Sequence, residues 1–267
     1  MYTDVWIGIN TDNEVHMIID KFGNEIVDDS NYGYGSVKNF TEGLAAVEYD
    51  GKWGYIDELC NEVIPAKYNE TAGFYDGLAS IRLGDGEASK WGYIDKQGRE
   101  VIPVIYDFAS RFSDGLAGVK INDKWGFIDK DGSVIVQFKY DSCREFQDGY
   151  APVKIGDRWG FIDKTGNEVV PFRYDEVYHF SKGMAEVSID DKWGFIDEAG
   201  NEIVPIKYDN FKEFREGYAA VKMGKKWGFV DKTGNEVVPL IYDEVDYFSE
   251  GRASVRIGDK WGFIAIE

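Results

Sequence analysis

The sequence predicts an all-β chain built as a tandem array of about eight antiparallel β-units of 34 residues, and three observations predict it. The stretch Lys-Trp-Gly-Phe-Ile-Asp, complete at Lys124 to Asp129, returns with its tryptophan at Trp53, Trp91, Trp125, Trp159, Trp193, Trp227 and Trp261. The first interval is 38 residues and every later one is 34. Each period also holds three apolar runs, all short enough to be strands and none spaced like a helix. A unit of 34 residues is too small to bury a sufficient core alone, so neighbours must stack. Periods of this length serve both open stacks and closed rings. The last copy lacks its third run and the first offers no spare one, so an open, twisted, β-solenoid-like stack is favoured over a closed β-propeller.

Run A is Gly115 to Ile121, with relatives starting at Gly43, Gly77, Gly149, Gly183, Gly217 and Gly251. Ala117, Val119 and Ile121 keep an apolar face in every copy while the places between them vary, as a half-buried strand requires. A short link such as Gly156-Asp157 or Gly258-Asp259 then suits a tight hairpin, because Gly and Asn tolerate the positive φ of the turn. The four extra residues of the long period, Gly86-Glu87-Ala88-Ser89, fall in this link.

Run B is the tryptophan stretch. Trp125 and Phe127 share one face, Gly126 and Ile128 the other, so both faces are covered and B is the central strand. The glycine leaves room for a backbone or ring that approaches closely. Run C, Glu168-Val169-Val170-Pro171 in one copy, carries proline at Pro65, Pro103, Pro171, Pro205 and Pro239, which marks an edge strand or its exit. A phenylalanine follows in each link, at Phe40, Phe74, Phe112, Phe146, Phe180, Phe214 and Phe248, placed as a plug between one unit and the next.

The whole chain, 1–267, reads as one array: 1–42 a degenerate first unit with His16-Met17 where Trp-Gly stands elsewhere, 43–250 the full units, and 251–267 a truncated last one. The composition, 43% hydrophobic and 16% aromatic, promises a packed interior. A net charge of -19 argues against nucleic acid or an anionic bilayer as partner. No stretch approaches the roughly 20 apolar residues of a membrane span, and no secretory leader is visible, so a cytoplasmic location is favoured. Two cysteines, Cys60 and Cys143, at non-equivalent places do not make a disulfide framework.

Lys-Trp-Gly-Phe-Ile-Asp, followed by Gly-Asn-Glu-Val-Val-Pro, Tyr-Asp and Phe-x-x-Gly, resembles the WG-repeat family, also called KWG repeats, found chiefly in bacterial proteins. The resemblance spans about residues 14 to 264. It implies a β-rich repeat module regarded as an interaction element, with no shared catalytic activity. His16, Cys60 in place of glycine and Gln137 in place of proline depart from the pattern.

Side chains present in every copy are those each copy needs for its own packing, so the seven tryptophans read as structural. The basic residue before each of them, Lys52, Lys90, Lys124, Arg158, Lys192, Lys226 and Lys260, reads as a turn residue whose stem covers the ring. Asp57, Asp95, Asp129, Asp163, Asp197 and Asp231 open the next turn, where a carboxylate can accept backbone N–H bonds. Asp129-Lys130-Asp131-Gly132-Ser133 lacks the further acidic ligands of a calcium loop. No catalytic, cofactor or metal residues are assigned. His16 and His179 are the only histidines, and no nucleophile elbow, zinc spacing or phosphate loop occurs.

The expected function is therefore a non-catalytic scaffold that binds a protein or peptide through the copy-variable places of run A: Leu116, Tyr150, Met184, Tyr218 and Arg252, with Gly118, Pro152 and Glu186. The alternative is a carbohydrate or cell-wall binder using the run B aromatics. A hydrolase with paired carboxylates comes third, and a lone cleft holding two carboxylates would be its structural sign.

Overall fold

A computed structural model describes residues 36–266 and, before them, the strands Val5–Ile9, Val15–Asp20 and Glu25–Asp28. Apart from strands and turns, the described residues contain one 3-10 turn, Gly86–Ala88, and it takes up the extra residues of the long period. The chain forms separate antiparallel sheets in tandem, none closed into a barrel. It gathers into two compact units, Met1–Phe146 and Gln147–Glu267, although the sequence pattern runs unbroken through the division.

One sheet represents the others. Strand A is Ala117–Ile121, B is Lys124–Ile128 and C is Val134–Tyr140, with B in the centre and C at the edge. A fourth, two-residue strand, Phe108–Ala109, pairs with A on the other side. This connector strand was absent from the sequence expectation. It is supplied by the chain just after strand C of the preceding sheet, so every full repeat hands its last residues to the next one. The last sheet has a connector, A and B (Glu244–Val245, Arg252–Ile257, Lys260–Ala265) and no C. The worn first copy is a three-stranded sheet with Val15–Asp20 in its centre.

Two tight turns fix the register. Between A and B, Asn122 and Asp123 hold φ of 49° and 61°, the pair of positive angles that matches the twist of a two-residue hairpin. Before A, Glu42 and Gly43 do the same at 51° and 87°. Cys60 sits at φ 64°, where other copies carry glycine.

Glycine and proline in B and C turn out to be two parts of one device. In the sheet of Trp91 that residue faces Tyr106 and Tyr93 faces Ile102, so C holds two more residues than B over the same stretch and bulges around Pro103. The bulge carries C across the glycine of B: a Cβ on Gly92 would lie 2.7 Å from the Ile102 carbonyl oxygen and 2.8 Å from Val104 Cα. Gln137, in place of proline, keeps the same register shift, Trp125 to Tyr140 and Phe127 to Val136.

The core lies between neighbouring sheets. In the first unit Trp91, Tyr93, Ile102 and Tyr106 of one sheet pack with Ala109, Phe112, Val119 and Ile128 of the next. The link phenylalanine is the plug the sequence suggested. It meets the third-position aromatic of strand B in the preceding sheet, as in Tyr93–Phe112 at 4.9 Å and Phe161–Phe180 at 4.6 Å between ring centroids.

Candidate functional site

Apart from Trp261, the repeated tryptophans are buried or half-buried. Trp91 and Trp159 are buried, Trp53, Trp125, Trp193 and Trp227 are half-buried, and Trp261 is 58% exposed. In the first unit Phe108 lies between Trp91 and Trp125 at 5.4 Å from each. In the second, Lys154 covers Trp159 at 5.7 Å and Lys222 covers Trp227 at 5.5 Å. Trp159→Ala is expected to lower stability by about 3–5 kcal/mol, whereas Trp261→Ala should change it by no more than about 0.5 kcal/mol. Urea unfolding of the two variants checks the difference.

Lys154 and Lys222, the cations over Trp159 and Trp227, come from strand A, and five of the basic residues that precede a tryptophan pair with an aspartate instead. Lys90, Arg158 and Lys192 pair with Asp107, Asp175 and Asp209, while Lys124 meets Asp141 at 2.5 Å and Lys226 meets Asp243 at 2.7 Å. The second oxygen of these aspartates accepts a backbone N–H from the A–B turn, from Asn122 at 2.8 Å and from Gly258 at 2.7 Å. Lysine and hydrogen bond together hold the Asp107 and Asp243 carboxyls below their ordinary range. The sequence signal was present, since each aspartate closes a recurring Tyr-Asp pair. These pairs are exposed and screened, so they fix geometry more than stability.

The turn aspartates behave as expected: Asp163 accepts backbone N–H bonds from Thr165 at 2.9 Å and Asn167 at 3.0 Å. The Thr165 hydroxyl and these amides pull its carboxyl down to about 2. Asp129 likewise directs its Oδ1 at Asp131 and Ser133 amides, 3.0 and 2.8 Å away. Cys60 and Cys143 carry free thiols, and burial pushes Cys143 up to about 12.

The run A positions named from the sequence differ in burial. Leu116, Gly118 and Pro152 are buried, Tyr150, Met184 and Tyr218 are half-buried, and Arg252 is exposed. The sequence treated these places as outward because they vary, but the following link covers them. Tyr150 packs on Phe180 at 5.2 Å and Tyr218 on Phe248 at 4.8 Å. A Cβ on Gly118 would lie 2.9 Å from the Cys143 sulfur.

One of these positions, Met184, opens into a cleft of about 1060 Å³ in the second unit. Strand A of Met184–Ile189 supplies Met184 and Glu186, the turn before it supplies Lys182, and the next link supplies Glu213, Arg215 and Gly217. Lys232 comes from the turn after Lys226–Asp231. Tyr178, Phe211 and Tyr247 add aromatic walls, and His179 also faces the cleft. Arg215 lies over the Tyr247 ring at 4.2 Å. His16, the other histidine, lies outside the residues whose side chains are described.

Glu186 departs most from the repeat. Its equivalents are Ala46, Ser80, Gly118, Pro152, Ala220 and Ser254, all small. A carboxylate there loses solvent, and burial raises its pKa from 4.5 to about 7, with the Glu213 charge adding to the rise.

The family described as a WG containing repeat matches residues 17–53, 53–86, 91–125, 125–159, 159–193, 193–227 and 227–261. The chain belongs to the WG-repeat family. Among solved structures it is similar to a eukaryotic initiation factor, with 11% identity, a TM-score of 0.54, and 95% of this chain and 78% of that one covered. It is also similar to Hsv2 of Kluyveromyces lactis with a Gly-Ser linker in one loop, at 8% identity and a TM-score of 0.43, with 100% and 98% covered. At such identity the first likeness is one of fold alone. No protein with a curated description matches the chain.

Within the WG-repeat frame, the fixed residues close sheets, turns and joints, except in the last sheet, where Trp261 and Phe263 are exposed. The cleft combines residues that break the repeat, Lys182 and Glu186, with repeated ones such as Phe214, Gly217 and Lys232. In the Asp-Gly or Glu-Gly turn before strand A, six copies carry an acid and one carries Lys182. Among the described residues no helix is long and apolar enough to cross a membrane.

Proposed function

We propose that this WG-repeat protein is a non-catalytic scaffold that binds a peptide or a peptide-like segment of a protein in the cleft of Gln147–Glu267. One observation carries the reading: Glu186, a carboxylate with its pKa raised to about 7, lines that cleft at a place every other copy fills with a small residue. A half-buried carboxylate loses part of its hydration, and packing alone asks for the Ala, Ser, Gly or Pro that stands there in the other copies. Carboxylates, cations and aromatic rings in one concavity suit the mixed chemistry of a peptide. The free Cys60 and Cys143 thiols fit a reducing compartment such as the cytoplasm.

Peptides selected against the full chain from a random displayed library test the reading. Binding should weaken at least tenfold in Tyr178→Ala and Met184→Ala and stay unchanged in Arg252→Ala. Peptides indifferent to the two cleft variants would overturn it.

Glu186 also makes a pH prediction. Unfolded, it ionises near 4.5; folded, near 7. Between these values the unfolded chain holds fewer protons, so the stability Glu186 contributes is fully present below 4.5 and is lost as pH rises through 7. Glu186→Gln removes that loss. The variant should match the parent near pH 4 and exceed it at pH 8 by up to about 3 kcal/mol, as read by denaturant midpoints across pH.

The same pair favours a second reading. A carboxyl whose pKa is raised to about 7, lining one cleft with a second carboxyl from Glu213, is the kind of pair between which hydrolases divide acid and base roles. A glycoside and ester panel in which Glu186→Gln and Glu213→Gln each abolish turnover would support it, and no turnover on any substrate would remove it. Carbohydrate stacking on run B has its best surface at Trp261 and Phe263, which is 76% exposed.

A further inference from the structure

In two other repeats the turn acid, the amide of the next turn and a lysine form a closed set. Glu42 accepts from the Gly77 N–H at 3.2 Å and pairs with Lys96 at 3.1 Å. Asp76 accepts from the Gly115 N–H at 2.9 Å and faces Lys130 at 3.9 Å. Glu216 likewise accepts from the Glu250 and Gly251 N–H groups, each at 2.9 Å. At the equivalent place in the cleft, the acid is Lys182, the amide is Gly217 and the lysine is Lys232. Donor and lysine are retained while the built-in carboxylate has been replaced by a further cation. Among the described residues, neither lysine has an ion-pair partner. Glu216 and Gly217 hold φ of 51° and 92°, as in the other turns.

We propose that Lys182, Lys232 and the Gly217 N–H form an oxyanion subsite that takes a carboxylate of the bound peptide, in the position the Glu42 and Asp76 carboxylates occupy in their own turns. This rests on the reading of the cleft as a peptide site. Two ammonium groups and an aligned amide are the elements of anion recognition by backbone concavities. Glu186 and Glu213 line the same cleft, so a singly charged carboxylate is favoured over a phosphate dianion. The overall charge of -19 repels anions at long range, and the ligand must therefore be held by these short contacts.

The test is an amide-shift titration of the isotope-labelled full chain with sodium acetate, against sodium chloride at equal ionic strength. The Gly217 amide should shift saturably, and the Gly77 and Gly115 amides, which already hold a carboxylate, should not. Lys182→Glu rebuilds the set found in the other turns, so it should fold and should weaken the acetate response at Gly217 at least tenfold. No shift at Gly217, an equal shift in the variant, or equal shifts at Gly77 and Gly115 would each overturn the subsite. Phosphate binding tenfold more tightly than acetate would overturn the choice of carboxylate. Selected peptides that need Tyr178 and Met184 yet bind Lys182→Glu undiminished would overturn the subsite and leave the cleft standing. An acetate response at Gly217 with peptides indifferent to the cleft would do the reverse.

Discussion

Gly194→Ala is expected to destabilise the chain by about 3 kcal/mol, while the same change at Gly262 leaves stability within about 0.5 kcal/mol. Both glycines hold the same place in strand B. A Cβ on Gly194 would lie 2.5 Å from the Val204 carbonyl oxygen and 2.8 Å from Ile206 Cα, so the bulge of strand C would have to move. A Cβ on Gly262 meets nothing within 4 Å, because the last sheet has no strand C. Ordinary strand propensity would make alanine the better residue at both positions, so a large loss at one and none at the other isolates the close approach. Denaturant midpoints give the comparison, and two equal values would mean that strand C does not press on the glycine.

Phe180→Ala should cost about 3–5 kcal/mol, the largest effect expected in any link. Its ring is buried, 4.6 Å from Phe161 of the preceding sheet and 5.2 Å from Tyr150. Removing it empties the joint between two sheets rather than a place within one. The tilted pair also predicts a coupling of about 0.5–1.5 kcal/mol in a double-mutant cycle with Phe161→Ala. Strictly additive losses would show that the two rings are held by other neighbours and not by each other.

Most of the array was legible because a strand face, a tight turn and a close approach each demand a residue type that seven copies display together. Gly126, Phe112 and Asp163 each fell where the spacing put them. Connector strands were missed for the opposite reason. Phe108–Ala109, Glu176–Val177 and Asn210–Phe211 share position but no composition, since a two-residue strand needs only backbone pairing with strand A. The second face of strand A was misjudged at Leu116 and Pro152 because variation there reflects different links lying on top of it, and not exposure. Glu186 was noted from the sequence only as one varying place and Lys182 not at all, although both break the pattern of the aligned copies. What they form together depends on Glu213 and Lys232, brought in by folding from later in the chain.

The carboxylates of the turns before strand A also give the protein a polarity. Three of them reach forward, Glu42 to Gly77, Asp76 to Gly115 and Glu216 to Gly251, so each of these turns fastens its successor. Lys182 offers no carboxylate to Gly217, and amide exchange at Gly217 is expected to run ahead of that at Gly77, Gly115 and Gly251. A ligand carboxylate seated there would act as a removable rivet, tightening one joint of the array only while it is bound.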